Sequence, residues 1–474
     1  MMMLSDIAKA VGGQLIGQDT GMRDVLCESV GSDSRNIAKN QLFVAIKGER
    51  FDGNAYAAEA IRQGAAAALI SDIKLNDANT QARPIVLVAD TRLALGQLAS
   101  YWRATFTLPL VAVTGSNGKT TVKEMLAAIL QVTTLDASAS RAVLATQGNL
   151  NNDIGVPMTL LKLRKQHAYA VIEMGMNHEG EIRYLTNLAQ PNVAVVNNAG
   201  TAHIGEVGSR EGIARAKGEI FEGLGSDGIA VINADDVFAD YWKSLNPDRK
   251  IITFGLNAKA DVTASYQEIN GASQITLTTP NGKFDFSLNL LGKHNVSNAL
   301  AASACAFALG VSNVDIARGL ESFAAVKGRL QRKAGLNGAS LIDDTYNANP
   351  DSMRAAIDVL ASQQGKQIFV MGDMAELGAD TAKMHAGVGL YAKQKGILEL
   401  LAFGEFSQLA CQEFGINAQH FTSLEALVLC LKNSMQANTT VLVKGSRFMQ
   451  MERVVDAIEK NDITINNAKM VEEK

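Results

Sequence analysis

The sequence predicts an α/β protein of three domains: an N-terminal α/β unit, a central unit with a mostly parallel sheet and a small antiparallel β patch, and a C-terminal Rossmann-like unit. Three observations carry this. The chain has 474 residues, a length that allows about three domains. Short aliphatic runs alternate with amphipathic helical stretches, as strands and helices do in parallel sheets. The alternation starts afresh after Gly328-Arg329-Leu330. The boundaries this suggests are 1–106, 107–326 and 327–474.

In the N-terminal unit, β-type runs fall at Gln41 to Ile46, Ala67 to Ile70 and Ile85 to Val88, with helical patterns at Asn54 to Gln63 and Thr91 to Arg103. Two polar clusters stand out: Ser32-Asp33-Ser34-Arg35, and Lys47-Gly48-Glu49-Arg50-Phe51-Asp52-Gly53. Ser and Asp are ordinary helix caps, so solvated loops are one reading. An anion or nucleotide pocket using Arg35 and Lys47 is the other.

The central unit is organised around Leu110-Val111-Ala112-Val113-Thr114-Gly115-Ser116-Asn117-Gly118-Lys119-Thr120-Thr121. A strand runs into a glycine-bearing turn, and Val122 to Leu130 continues as a helix. Such a turn aims successive N–H groups at phosphate oxygens, and the helix N-terminus adds its dipole. Lys119 supplies a charge for the outer phosphates, and the Thr120 hydroxyl suits Mg²⁺. Only two residues separate the glycines, where the common form of the motif has four. A turn that merely happens to carry Lys-Thr is the competing reading.

Beyond it, Gln147 to Pro157 is too polar for a core and reads as a substrate-facing loop. Ala168 to Gly175 and Val193 to Asn198 read as strands, and ligands of open parallel sheets sit at strand carboxyl ends. Thr120, Glu173 and His203 all fall just past such ends. Taken singly, a strand-end Glu is usually a cap, a lone His is usually structural, and Lys217 reads as a solvated helix lysine. Gly228 to Asp236 and Lys250 to Gly255 are further strands. Residues 261–290 alternate polar and apolar with Asn-Gly turns, which predicts the antiparallel patch. An Ala-rich helix follows, with Asn295 and Asn298 on one face at its start, placed to cap it or to read a base edge. In the last unit, strands are expected at Ser340 to Asp344, Gln367 to Asp373, Leu398 to Gly404 and Thr440 to Gly445, and the polar tail from Asn461 is expected to fray.

Composition excludes other classes. Hydrophobic residues make up 47% and charged residues 19% of the chain, enough for real cores. A net charge of −4 leaves no basic field for nucleic acid or an anionic membrane. Cys27, Cys305, Cys411 and Cys430 are widely spaced and read as reduced thiols of a cytosolic protein. The start lacks the regions of a secretory signal, and no apolar run is long enough to span a bilayer. A cytoplasmic protein without a membrane span is expected.

Several motifs together resemble the Mur ligases over nearly the whole chain. They are Thr114 to Thr121, Gly148-Asn149-Leu150-Asn151-Asn152-Asp153-Ile154-Gly155, Glu173-Met174-Gly175-Met176-Asn177-His178, His294-Asn295-Val296-Ser297-Asn298-Ala299, Asp344-Thr345-Tyr346-Asn347-Ala348-Asn349-Pro350 and Gly372-Asp373-Met374-Ala375-Glu376-Leu377-Gly378. The short phosphate loop is itself the family's form. The last two motifs resemble the members that join D-alanyl-D-alanine to UDP-N-acetylmuramoyl-tripeptide.

The resemblance implies one domain for the UDP-sugar, a central ATPase and a third for the incoming amine. It implies that Gly115, Ser116, Asn117, Gly118, Lys119, Thr120 and Thr121 hold ATP, with Asn295 and Asn298 at adenine, Asp344 at the ribose and Arg329 at the transferring phosphate. Thr120 and Glu173 would hold one Mg²⁺, and His203 and a carbamylated Lys217 the second. Ser32, Ser34, Arg35 and Lys47 would bind the UDP end, and Asn151 and Asn152 would face the muramoyl portion. Asn347, Asn349, Glu376, Lys444 and Arg447 would seat D-alanyl-D-alanine. Catalysis would fall to Lys119, His203, Lys217 and Arg329. The implied chemistry is an acyl phosphate made from ATP, then attacked by the amine inside a cleft that domain motion closes. A monomer is expected. A folylpolyglutamate-type ligase and a P-loop switch with no covalent product are the alternatives.

Overall fold

The computed structural model describes residues 1–16, 24–73, 84–135, 142–201, 204–269 and 271–460. The central sheet has six parallel strands, in the order Lys250–Phe254, Ile229–Asn233, Val193–Val196, Leu110–Thr114, His167–Glu173 and Ala142–Ala145. The chain fills one side of Leu110–Thr114 first and then the other, so this strand is the topological switch point, where open sheets bind ligands. In register, Val196 pairs with Thr114 and Glu173 with Val113. The phosphate loop, Glu173 and Asn197-Asn198 therefore leave the sheet side by side.

Leu110, Val111, Ala112 and Val113 are all fully buried, because helices cover both faces of a parallel sheet. Val111 and Val113 pack under the helices Lys119–Leu135 and Lys293–Ala308. Leu110 and Ala112 face the helices Thr91–Ala104, Glu181–Ala189 and Arg210–Gly218. The antiparallel patch is a three-stranded sheet, Thr263–Ile269, Ala272–Thr279 and Gly282–Leu288.

The N-terminal sheet runs Gln14–Ile16, Ile85–Leu87, Ala67–Ile70, Gln41–Val44 and Ser29–Gly31, parallel except for its first strand. Its apolar core is continuous with the central one: Leu42, Val44 and Leu69 belong to the same buried cluster as Leu110 and Ala112. Helix Thr91–Ala104 makes the join. Asp90 caps it by accepting from the Arg92 and Leu93 amides. Near its end, Trp102 Nε1 donates to Leu163 O and the Arg103 guanidinium to Ala189 O and Phe106 O.

The C-terminal sheet has six strands, Gln331–Ala334, Ser340–Asp344, Thr439–Lys444, Lys366–Gly372, Glu399–Phe403 and Ala418–Phe421, of which the first is antiparallel. Sequence patterning misses Gln331–Ala334, Ala418–Phe421 and Ala142–Ala145. They are edge strands, and the first two carry polar residues where a buried strand would be aliphatic. Among the described residues no helix is long and apolar enough to cross a membrane.

Candidate active site

A cleft of about 700 Å³ opens where the carboxyl ends of the central and C-terminal sheets face each other. The phosphate loop forms its floor. The Ser116 amide donates to Asn198 O and the Asn117 amide to Asn198 Oδ1, while Asn117 O accepts from the Asn197 and Asn198 side-chain amides. Gly118 has φ +79°, and a Cβ there would lie 2.2 Å from Asn298 Oδ1. Only glycine fits. Lys119 Nζ donates to Gly115 O at 2.8 Å. Burial pushes the Lys119 pKa down, and the negative charges of Glu173 and Glu376 oppose that.

Under the loop, Thr120 Oγ1 donates to Glu173 Oε2 at 2.8 Å and accepts from Arg329 Nη2 at 2.9 Å. Asn151 Nδ2 donates to the other carboxylate oxygen of Glu173 at 2.7 Å. Arg329 lies 4.1 Å from the centre of the Tyr346 ring, a cation–π stack that fixes its plane. Its Nε is buried without a partner among the described residues, a donor left for an anion. Thr120 and Glu173 are a hydroxyl and a carboxylate, the hard oxygen pair that suits Mg²⁺ completed by phosphate oxygens and water. No group of three His, Cys, Asp or Glu able to hold a metal occurs among the described residues. His203 lies outside the described residues.

Lys217 is not the solvated lysine its helical setting suggests. It is 1% exposed, near the end of a helix capped by Ser209. Burial first, and the charge of Lys119 second, push its pKa well below the usual lysine value. A neutral buried amine is the form that combines with CO₂.

At the far end of the floor, Asn295 and Asn298 are buried on the cleft wall on one helix face, as their spacing predicts. Asn298 Oδ1 accepts from Asn197 Nδ2, and Asn295 Nδ2 donates to Leu291 O. Beside them, desolvation lowers the His294 pKa to about 4, with Asp344 opposing and Lys444 assisting.

The opposite wall comes from the C-terminal sheet. Lys444 Nζ pairs with Asp344 Oδ2 at 2.6 Å and donates to Asn347 O at 2.8 Å. Further hydrogen bonds join the walls. Asn349 Nδ2 donates to Asn117 Oδ1 at 2.7 Å, and the Thr201 amide and hydroxyl both donate to Asp351 Oδ2 at 2.8 Å. Asn349 also caps helix Pro350–Ala361 through a capping box with Ser352. Glu376 and Arg447 line the same wall.

The cleft thus gathers Ser116 to Thr121, Asn151, Glu173, Asn295, Asn298, Arg329, Asp344, Asn347, Asn349, Glu376, Lys444 and Arg447. Gly115 contributes its carbonyl. Several expected residues do not join it. Asn152 is exposed outside the cleft, its Oδ1 accepting from the Ile154 and Gly155 amides at the start of helix Gly155–Leu160. Ser32, Ser34, Arg35 and Lys47 sit on loops at the carboxyl ends of two N-terminal strands. There Arg35 pairs with Asp33, and Lys47 is 73% exposed at 4.0 Å from Asp52. Sequence reasoning missed Thr201, Arg210, Asp236, Tyr346 and Asp351 as cleft residues. Tyr346 lies within a motif already singled out, and Asp351 follows that motif directly, in the first turn of helix Pro350–Ala361.

Comparison with known proteins matches three family models: Mur ligase family, catalytic domain, over residues 27–103, Mur ligase middle domain over 113–306, and Mur ligase, glutamate ligase domain over 328–447. The chain is 43% identical over 465 residues to the UDP-N-acetylmuramoyl-tripeptide–D-alanyl-D-alanine ligase of Escherichia coli (strain K12), covering 97% of this chain and 98% of that protein. It is 35% identical to the same-named ligase of Bacillus subtilis (strain 168), covering 96% and 98%. Among solved structures, MurF from Acinetobacter baumannii matches with TM-score 0.88 at 39% identity, covering 95% and 97%. MurF ligase from Thermotoga maritima in complex with ADP matches with TM-score 0.81 at 29% identity, covering 92% and 98%.

Proposed function

The chain belongs to the Mur ligase family, and from that premise we propose that it joins D-alanyl-D-alanine to UDP-N-acetylmuramoyl-tripeptide at the expense of ATP, in peptidoglycan synthesis. The observation that carries this reading is the meeting of Thr120, Glu173 and Arg329 under a phosphate loop, in a cleft whose other wall is the C-terminal sheet.

The obstacle to the first step is repulsion, since a carboxylate must attack a phosphate. Lys119 and Arg329 offset it with positive charge inside a buried site. Asn295, Asn298 and Asp344 hold the nucleoside end. Thr120 and Glu173 would hold one Mg²⁺, and His203 with a carbamylated Lys217 would hold a second; such ions would supply further neutralisation of the phosphate charge. Lys217 becomes a carbamate when its neutral Nζ bonds the carbon of CO₂ and loses a proton, which turns a base into a carboxylate. Its burial favours this. The first step yields ADP and an acyl phosphate. The dipeptide amine then forms the C–N bond as phosphate leaves. Asn347, Asn349, Glu376, Lys444 and Arg447 face the dipeptide, and the closed cleft keeps water from the acyl phosphate.

The UDP-linked substrate is long. Ser32, Ser34, Arg35 and Lys47 bind its UDP end outside the cleft, and Asn151 receives the muramoyl portion at the cleft's edge. Asn152 supports that loop through its local cap. The N-terminal, central and C-terminal units divide at about residues 106 and 326. Four cysteines without a disulfide among them support a reducing, cytoplasmic setting, and we take the enzyme to act as a monomer.

An assay with ATP, the UDP-linked tripeptide and D-alanyl-D-alanine, each omitted in turn, tests the reading. With ¹⁸O in the tripeptide's terminal carboxylate, one label appears in the released phosphate. Unlabelled phosphate overturns the mechanism.

A further inference from the structure

Besides Lys217, the side chain of Lys123 is fully buried. It lies on helix Lys119–Leu135, three positions past Thr120 and so on the same helix face. Burying a charge is costly unless it is paired and hydrogen-bonded, and methionine would fill similar space without that cost. What the lysine adds is its ammonium. Its Nζ donates to Thr146 O at 2.6 Å and pairs with the partly exposed carboxylate of Glu124.

Thr146 is 1% exposed and directly follows strand Ala142–Ala145, at the edge of the central sheet. Its amide donates to Val171 O, and its Oγ1 accepts from the Glu173 amide at 2.9 Å. It thus carries the pairing with strand His167–Glu173 to that strand's last residue. An edge strand is paired on one side only, so its end opens readily unless another element holds it. Lys123 supplies the hold.

From Thr146 the chain leaves through the exposed residues 147–150 and returns at Asn151. There Asn151 O accepts from the Gly175 amide, and Asn151 Nδ2 donates to Glu173 Oε1 at 2.7 Å. Glu173 is therefore held at its amide by Thr146, at one carboxylate oxygen by Asn151 and at the other by Thr120. Thr120 is on the phosphate-loop helix itself. Thr146 and Asn151 are on the segment that Lys123 fastens to that helix.

We propose that Lys123 is a positioning residue for the nucleotide's metal ion. By clamping Thr146 to the phosphate-loop helix, it keeps the Glu173 carboxylate aimed at the place where, with Thr120, it binds Mg²⁺. This rests on the metal-holding role of Thr120 and Glu173 set out above. Lys123 touches neither the ion nor a substrate and acts through Thr146. Mg²⁺ demands near-octahedral geometry, so a carboxylate free to swing binds it poorly, and groups that orient a ligand tune its affinity.

The test uses the full chain and two readouts. In protein holding neither nucleotide nor metal, peptides covering 147–151 and Glu173 should lose protection from hydrogen exchange in Lys123→Met. Mn²⁺, titrated into protein in excess over ADP and counted by electron paramagnetic resonance, should bind about 10–100-fold more weakly in that variant. Thr146→Val removes the acceptor for the Glu173 amide and should show a similar loss. The double variant should be little worse than either single one, because both cut the same chain of contacts. Arg103→Met removes another buried cation that bonds main-chain carbonyls, outside the cleft. It should lower the melting temperature and leave Mn²⁺ affinity unchanged. Unaltered Mn²⁺ affinity in Lys123→Met and Thr146→Val, fully additive losses, or an equal loss in Arg103→Met overturns the proposal. If the unaltered protein with ADP takes up no Mn²⁺, the metal reading fails first and this proposal falls with it.

Discussion

Arg329 Nη2 donates to Thr120 Oγ1 at 2.9 Å, a bond between residues 209 positions apart that ties the start of the C-terminal unit to the floor of the phosphate site. The same guanidinium stacks on Tyr346. Lysine can reproduce neither the planar stack nor the donor fork. Arg329→Lys is expected to cut turnover by about 100-fold with an unchanged melting temperature, as read by phosphate release and calorimetry.

Lys217→Ala removes the buried amine without opening a polar hole, since no hydrogen bond or ion pair to that amine is found among the described residues. It is expected to fold and to lose nearly all activity. In the unaltered enzyme, ¹³C-labelled bicarbonate should give a carbamate carbon resonance that the variant lacks. Near-normal turnover in the variant would remove Lys217 from the site.

His294 sets part of the pH dependence of stability. Its folded pKa, about 4, lies below the unfolded value near 6.5. Between these values the unfolded chain binds more protons, so stability rises with pH. The contribution is complete above about pH 6.5 and drains away as pH falls toward 4. Melting temperature measured from pH 7.5 down to 5 should therefore fall less steeply in His294→Asn than in the parent protein.

Asp351 accepts two hydrogen bonds from Thr201 across the cleft. Bonds to a charged group contribute about 1.5–3 kcal/mol each. Asp351→Ala should loosen the closed arrangement and lower kcat/KM for the dipeptide by about tenfold or more, with less effect on ATP binding. Solution scattering with and without ATP and the UDP-linked substrate should show compaction that the variant makes only in part. Identical profiles in the parent protein would mean that no closure occurs.

The phosphate loop was legible in sequence because every part of its chemistry is local: a buried strand, a turn that needs glycine, a lysine and a threonine. Glu173 was legible from its position at a strand end, and Asn151 from the polarity of its loop. Lys217 was not, because burial is a tertiary property and a helix carrying Arg and Lys reads as exposed. Asp351 and Thr201 are 150 positions apart, and each passes for an ordinary helix or loop residue until the two sheets face one another. Asn152 shows the opposite case: its side chain accepts from the Gly155 amide at the start of the next helix, a local role that polarity in sequence does not distinguish from a substrate contact.

The two junctions of this molecule differ in kind. Helix Thr91–Ala104 fuses the first two sheets through one unbroken apolar mass, whereas the third meets the second through polar side-chain bonds across the cleft and a small apolar contact at Leu291. Warmed slowly in a calorimeter, the first two should melt as a single cooperative block and the last on its own, and nucleotide should draw the two peaks together by spanning the cleft.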